Sequence, residues 1–210
     1  MITLYTWTTP NGRKASIALE EMGLPYEVRP VNIGANEQFD PAFLAIAPNN
    51  KIPALVDPEA PGGPVSLFES GAILIHLAER TGQFLPTGGA ARARTLEWLF
   101  WQVGGVGPMF GQLGYFAVRA PDKVPAAIDR FREESVRLLG VLEKRLADAP
   151  YLAGEYSIAD MATYPWIAAA MNLMRPVLGE AAGHLPAIDR WMGDIGARPG
   201  VKRGMAVPKI

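Results

Sequence analysis

Three short runs in the first seventy residues combine polar side chains with backbone that is ready to bind a ligand: Thr9-Pro10-Asn11-Gly12, Lys51-Ile52-Pro53 and Glu69-Ser70-Gly71. The first and third each open a helical pattern. A helix start offers free N–H groups and partial positive charge, the chemistry that receives an anion. Ser70 suits an N-cap, and its hydroxyl and N–H can also hold a carboxylate. Glu69 can pair with an ammonium. Ile52, just ahead of Pro53, can offer its N–H and C=O to an extended peptide as an added strand would, and a cis Pro53 would turn those groups into a cleft. Taken together, the runs suit an anionic, peptide-like ligand carrying a carboxylate and a thiolate. Taken singly, each also reads as a helix start, a strand start or a turn.

More familiar chemistry finds little support. The chain of 210 residues has no cysteine and two histidines, His76 and His184, far apart in sequence. No protein thiol, disulfide or thiolate metal site exists, and no metal centre is expected. His76 lies beside an apolar stripe and reads as a surface histidine. No G-x-S-x-G elbow supports a serine nucleophile. Gly104, Gly105 and Gly107 sit in a tryptophan-rich helical run, not after a strand, and read as close packing or a kink instead of a phosphate loop. Trp98 and Trp101 read as core or interface residues.

The elements that must position these runs follow from periodicity. Ile2 to Thr6 is a short strand. Ala15, Ala18, Leu19 and Met22 repeat at helical spacing before Gly23. Tyr26 to Val31 is a second strand, and 34–43 is a loop with a helical turn. A third strand leads out of Pro53, a fourth covers 65–68 as its hairpin partner, and Ile73, Leu74, Leu77 and Ala78 stripe a helix that ends at Gly82. The order is that of a thioredoxin-like α/β domain, residues 1–82. A Pro/Gly-bearing linker, 83–89, leads to an all-helical domain, 90–210. Its helical patterns cover about 91–118 and 125–148, and Ser157-Ile158-Ala159-Asp160 forms a capping box with Asp in place of Glu. About half the residues are apolar and the net charge is −1. Neither a nucleic-acid partner nor a membrane is expected, no signal peptide is read, and the cytoplasm is the expected compartment.

The segments Thr9-Pro10-Asn11-Gly12, Pro48-Asn49-Asn50-Lys51-Ile52-Pro53 and Leu67-Phe68-Glu69-Ser70-Gly71-Ala72-Ile73 resemble those of the cytosolic glutathione transferases. Trp98-Leu99-Phe100-Trp101-Gln102 and Ser157-Ile158-Ala159-Asp160 extend the resemblance over essentially the whole chain. It is closest to the bacterial Nu-class homologues with disulfide-bond reductase activity. It implies Thr9 and Asn11 at the glutathione sulfur, where other classes place Tyr, Ser or Cys. It implies Gln38 and Lys51 near the glycyl end, Ile52 on the cysteinyl backbone ahead of a cis Pro53, and Glu69 and Ser70 on the γ-glutamyl group. Arg130 is a further glutathione contact carried over from the helical domain, with a solvated helix arginine as its other reading. Residues such as Tyr115, Phe116 and Trp166 would line the second-substrate pocket, and a homodimer is implied. Tyr5, inside the first strand, is the rival hydroxyl. The expected activity is glutathione-dependent reduction of a small disulfide by bound glutathione thiolate. The alternatives are conjugation of glutathione to small electrophiles, and a non-catalytic binding or interaction module.

Overall fold

Strand β1 (Ile2–Thr6) alternates buried and half-buried residues, and Leu4 and Thr6 are fully enclosed. This is the period-2 pattern of a strand with a covered face. The structure is a computed structural model and describes residues 1–209. Strand β2 (Tyr26–Pro30) pairs with β1 in parallel, with Thr6 opposite Pro30. Strand β3 (Ala54–Asp57) pairs with β1 antiparallel, and β4 (Val65–Phe68) completes the expected hairpin with β3. The sheet order is β2-β1-β3-β4. Tyr5, Ala54 and Phe68 form one row across it. The segments that follow β1, precede β3 and follow β4 therefore all leave the sheet at one edge.

Helix α1 (Pro10–Glu21) follows β1, with Pro10 in the first turn, where its missing N–H removes no helix bond. Ala15, Ile17, Ala18 and Leu19 are fully buried, and Gly23 adopts φ +66° just past the helix. The loop expected at 34–43 holds two 3₁₀ turns, Ile33–Ala35 and Glu37–Phe39. They lead into α2 (Pro41–Leu44), whose start Asp40 caps by accepting the Ala42 N–H at 2.8 Å. Helix α3 (Ser70–Thr81) buries Ile73, Leu74, Leu77 and Ala78 and packs on α1.

By contacts, Met1–Gly89 forms one compact unit and Ala90–Gly196 another, and the described residues from Ala197 on belong to the first. The expected division at 83–89 sends all of 90–210 to the helical part. The last helix, α10 (Pro199–Met205), instead lies on α1. The close approach has a local cause. A Cβ on Gly204 would come within 2.5 Å of the Ile17 Cα, and the Ser16 hydroxyl donates to the Gly204 carbonyl at 2.7 Å. Arg198 and Arg203 pair with Glu21 and Glu20 at 2.6 Å each.

The second unit is helical: α4 (Gly89–Trp101), α5 (Gly107–Gly114), α6 (Pro125–Asp148), α7 (Ile158–Leu173), α8 (Arg175–Leu178) and α9 (Pro186–Ala197), followed in the chain by α10 (Pro199–Met205). The run read as one helix over 91–118 is interrupted twice by π-helical turns, Gln102–Val106 and Tyr115–Arg119. The glycines there serve packing: a Cβ on Gly107 or Gly111 would meet the Trp166 ring at 3.6 or 3.3 Å. Trp98 and Trp101 meet edge to face with centroids 5.1 Å apart, and the Arg145 guanidinium lies over the Trp98 ring. The Ser157–Asp160 capping box is formed. Buried Asp160 also accepts the Leu152 N–H at 3.0 Å and the Trp191 indole N–H at 2.9 Å. Burial pushes its carboxyl up to about 6, against the pull of these hydrogen bonds.

Candidate active site

The shared sheet edge carries a small cavity of about 150 Å³ lined by Asn11, Lys51, Ile52, Pro53, Phe68, Glu69 and Ser70. Six of the residues singled out in the sequence therefore meet there, and Phe68 joins them from the end of β4. The Ile52–Pro53 peptide is cis.

Thr9 is the N-cap of α1. Its backbone is extended, and its hydroxyl oxygen accepts the Gly12 N–H at 3.1 Å. A threonine hydroxyl has one proton and two lone pairs. Capping uses a lone pair, so the O–H proton can still be donated to an acceptor in front of the helix. Gly12 makes this turn possible. A Cβ there would stand 2.3 Å from the Trp7 carbonyl and 2.4 Å from the buried Thr6 hydroxyl. Thr9 N–H closes the turn by donating to Trp7 O at 2.7 Å.

At the other helix start, the expected cap is displaced by one residue. Glu69, not Ser70, is the N-cap of α3, with φ +70° and no side-chain capping bond. Such a conformation costs a non-glycine residue about 1–3 kcal/mol and persists where the surroundings impose it. Here it lies between the last residue of β4 and the first turn of α3, and it leaves the Glu69 side chain exposed on the cavity. Ser70 becomes the first helical residue and is buried. Its hydroxyl is freed from capping and meets the Lys14 ammonium at 3.3 Å.

Lys14 itself escaped the sequence reading. It is 2% exposed. Burial pulls its ammonium down to about 7, with the Glu69 carboxylate opposing the shift. The available signal was its spacing: Lys14 stands four residues before Ala18 and three after Asn11, on the edge of the buried stripe.

The remaining expected residues lie elsewhere. Gln38 is half-buried on the Glu37–Phe39 turn, and its Oε1 is shielded from solvent without accepting a hydrogen bond from the described residues. Arg130 is exposed on α6, in the helical unit. Tyr5 does not line the cavity; it packs against a cluster of Val31, Phe43, Ala47 and Ala54, its ring 6.1 Å from that of Phe43. His76 departs from the surface reading. Its Nε2 is 2.9 Å from Oδ2 of Asp57, which is buried and also holds Arg80. Burial alone would raise Asp57, but hydrogen bonds from Arg80, His76 and the Glu59 N–H hold it below the usual carboxylate range. Among the residues named for the second substrate, Tyr115 and Phe116 meet edge to face, and Phe116 stacks on Phe131. No cluster of three or more His, Cys, Asp or Glu side chains fit to hold a metal occurs among the described residues, and none of their helices is long and apolar enough to cross a membrane.

A four-stranded mixed sheet with two helix starts at one edge, followed by a helical unit, defines a thioredoxin-like domain joined to an all-α part. Comparison with known proteins carries this to a family. Residues 1–79 match the family model "Glutathione S-transferase, N-terminal domain", and 125–202 match "Glutathione S-transferase, C-terminal domain". The chain is 51% identical over 202 residues to the disulfide-bond oxidoreductase YfcG of Escherichia coli (strain K12), covering 95% of this chain and 92% of that protein. A glutathione transferase family member from Pseudomonas fluorescens Pf-5, solved with two glutathione bound, superposes with a TM-score of 0.92 at 48% identity, over 99% of this chain and 93% of that one. A glutathione transferase from Pseudomonas putida, solved with one glutathione disulfide per subunit, gives 0.91 at 44% identity, over 99% and 91%. The chain belongs to the glutathione S-transferase family.

Proposed function

We propose that this protein is a glutathione-dependent disulfide-bond oxidoreductase whose only sulfur nucleophile is the thiolate of bound glutathione. The observation that carries the reading is the cavity at the sheet edge, flanked by two helix starts, in a chain without cysteine. The name of the Escherichia coli relative and the glutathione and glutathione disulfide in the related structures support it.

Glutathione lies with its γ-glutamyl carboxylate at the start of α3, on Ser70, and its ammonium on Glu69. Its cysteinyl backbone runs along Ile52 ahead of Pro53, and Gln38 and Lys51 take the glycyl end. Arg130 is a further glutathione contact. The sulfur lies before α1, at Thr9 and Asn11.

A free thiol has a pKa of about 8.5, so little is ionised at neutral pH. Lowering it by about two units takes roughly 2.7 kcal/mol. A helix N-terminus contributes about 0.3–1 kcal/mol, and up to about 2 when partly buried. A hydrogen bond to the charged sulfur adds about 1.5–3 kcal/mol. The Thr9 hydroxyl, the Asn11 amide and the first turn of α1 together reach the required value without a general base.

The thiolate attacks one sulfur of the substrate disulfide. The S–S bond breaks, one substrate sulfur leaves as a thiolate, and a glutathione mixed disulfide forms. A second glutathione thiolate attacks the glutathione sulfur of that mixed disulfide. Glutathione disulfide forms and the remaining substrate thiol is released. Two glutathiones are oxidised and one disulfide is reduced. The protein supplies orientation and charge stabilisation.

We read the enzyme as a cytoplasmic homodimer, in keeping with its family, which sedimentation velocity on the purified protein tests. The activity is tested by following glutathione disulfide formation from a small dialkyl disulfide, with aryl-halide conjugation measured in parallel. Strong reduction with feeble conjugation is expected. Strong conjugation with no reduction would replace this reading by that of an ordinary transferase, and glutathione binding with neither activity by that of a binding module.

A further inference from the structure

Asn11 is the one asparagine of the chain that precedes a glycine. The pair has a chemistry of its own. Glycine carries no Cβ, so its backbone nitrogen is unhindered and its backbone turns freely. Once the Gly12 N–H gives up its proton, the nitrogen can attack the side-chain carbonyl carbon of Asn11. A bond forms between Gly12 N and Asn11 Cγ, the side-chain nitrogen takes up a proton and leaves as ammonia, and a cyclic imide remains. Water then opens the imide at either carbonyl. The product is aspartate or isoaspartate, the latter with the main chain running through the side-chain carbon. Water is the only co-reactant.

The site cannot dispense with either residue. A Cβ on Gly12 would stand 2.3 Å from the Trp7 carbonyl and 2.4 Å from the Thr6 hydroxyl, so no bulkier residue can shield its nitrogen. Asn11 lines the cavity, and in the reading above it holds the sulfur. What restrains the reaction is the turn itself. Asn11 is the second residue of α1, and helical backbone has ψ of about −42°. Ring closure needs a rotation about ψ that brings Gly12 N over the Asn11 Cγ, and that rotation opens the helical turn. The proton that must be lost is also held, because the Gly12 N–H donates to the Thr9 hydroxyl at 3.1 Å. An amide hydrogen bound in this way meets solvent base only when the structure around it opens.

We propose that Asn11–Gly12 is a latent deamidation site at the mouth of α1, and that the Thr9 cap is what keeps it closed. The hydroxyl that reaches the sulfur in the reading above therefore also preserves the amide beside it. Conversion replaces an amide that donates hydrogen bonds by a carboxylate, which has no proton to give a thiolate and repels it. Isoaspartate also adds a carbon to the main chain in the first turn of α1, which parts the Thr9 oxygen from the Gly12 N–H. The modification itself stands on the α1 turn alone, and only its effect on activity rests on the glutathione reading.

The purified protein is aged in mildly alkaline buffer below its melting temperature, and its peptides are mapped by mass spectrometry for the change from amide to acid at Asn11. In the folded wild type Asn11 should convert slowly, and in urea it should become the fastest of the chain's asparagines. Under native conditions Thr9→Val should convert about 2- to 30-fold faster than the wild type, the change in turn opening that a cap of about 0.5–2 kcal/mol represents. Thr9→Ser keeps the bond and should match the wild type. A valine variant that ages at the wild-type rate, or that ages faster only because the whole chain unfolds, seen as lost circular dichroism, overturns the role of the cap. A folded wild type that ages as fast as the urea-unfolded chain overturns it without any variant. Disulfide reduction by the aged wild type should fall in step with conversion. Conversion with activity fully retained would support the modification site and overturn the placement of Asn11 at the sulfur.

Discussion

Replacing Thr9 by valine keeps the size of the side chain and removes only the hydroxyl. Two consequences follow from the geometry. The Gly12 N–H loses the oxygen that accepts it at 3.1 Å, which lowers stability by about 0.5–2 kcal/mol. For a chain of this length that is a fall in Tm of roughly 1–8 °C. The glutathione sulfur also loses a donor worth about 1.5–3 kcal/mol, which raises its pKa by about one to two units. The effect on rate is not a uniform loss. A more basic thiolate is a better nucleophile, with a Brønsted slope of about 0.4–0.5, so roughly half of what is lost in ionisation returns as reactivity. Starting from a bound thiol near 6.5, the variant at about pH 6 should reduce a small disulfide roughly 3- to 10-fold more slowly. Well above about pH 9, where both thiols are ionised, it should be faster by a similar factor. The two pH–rate profiles should cross. The assay is kcat/KM for disulfide reduction across pH, paired with direct titration of the bound thiolate by its ultraviolet absorbance. Thr9→Ser retains both bonds and should follow the wild type. An absorbance titration that Thr9→Val leaves in place would refute the role of this hydroxyl, whatever happened to the rate.

Three further outcomes follow from the structure. Gly12→Ala should cost about 1–3 kcal/mol by overpacking against Trp7 O and Thr6, read as a lower urea midpoint, and should weaken glutathione binding because the turn carrying Thr9 must move. Asp160→Ala leaves the Leu152 and Ser157 N–H groups and the Trp191 indole N–H without their acceptor and should destabilise by more than about 3 kcal/mol in the same assay. Asp57 is held below its ordinary range, so its ionised form contributes stability that is present above the unfolded value, about 3.9, and is lost as pH falls through the folded value. The stability difference between wild type and Asp57→Asn should therefore be level near neutrality and shrink below about pH 4 in denaturant titrations.

How much of the site was legible depends on what kind of information each residue needed. Asn11, Ile52, Pro53, Glu69 and Ser70 were accessible because each sits where one element gives way to another, and such boundaries are written locally in Pro, Gly and capping residues. Their convergence needed only the strand order and the rule that short connections join neighbouring strands. The cap of α3 was misread by one position. A serine is the better capping residue in isolation, but the end of the β3–β4 hairpin forces Glu69 into a left-handed backbone and makes Ser70 the first helical residue. His76 read as a surface residue because nothing local reveals Asp57, nineteen positions away on a neighbouring strand.

The sequence by itself determined the order of strands and helices, the absence of any protein thiol, and the polar residues at the two helix starts. These are properties of composition, periodicity and local backbone preference. Tertiary structure alone decided which of those residues share a cavity, that α10 returns to α1 through Gly204, and that Lys14 is buried behind Ser70. The reason is the same in each case. Burial and electrostatic environment are set by side chains far away in sequence, and a lysine on a helix edge looks the same in one dimension whether it faces water or the end of another helix.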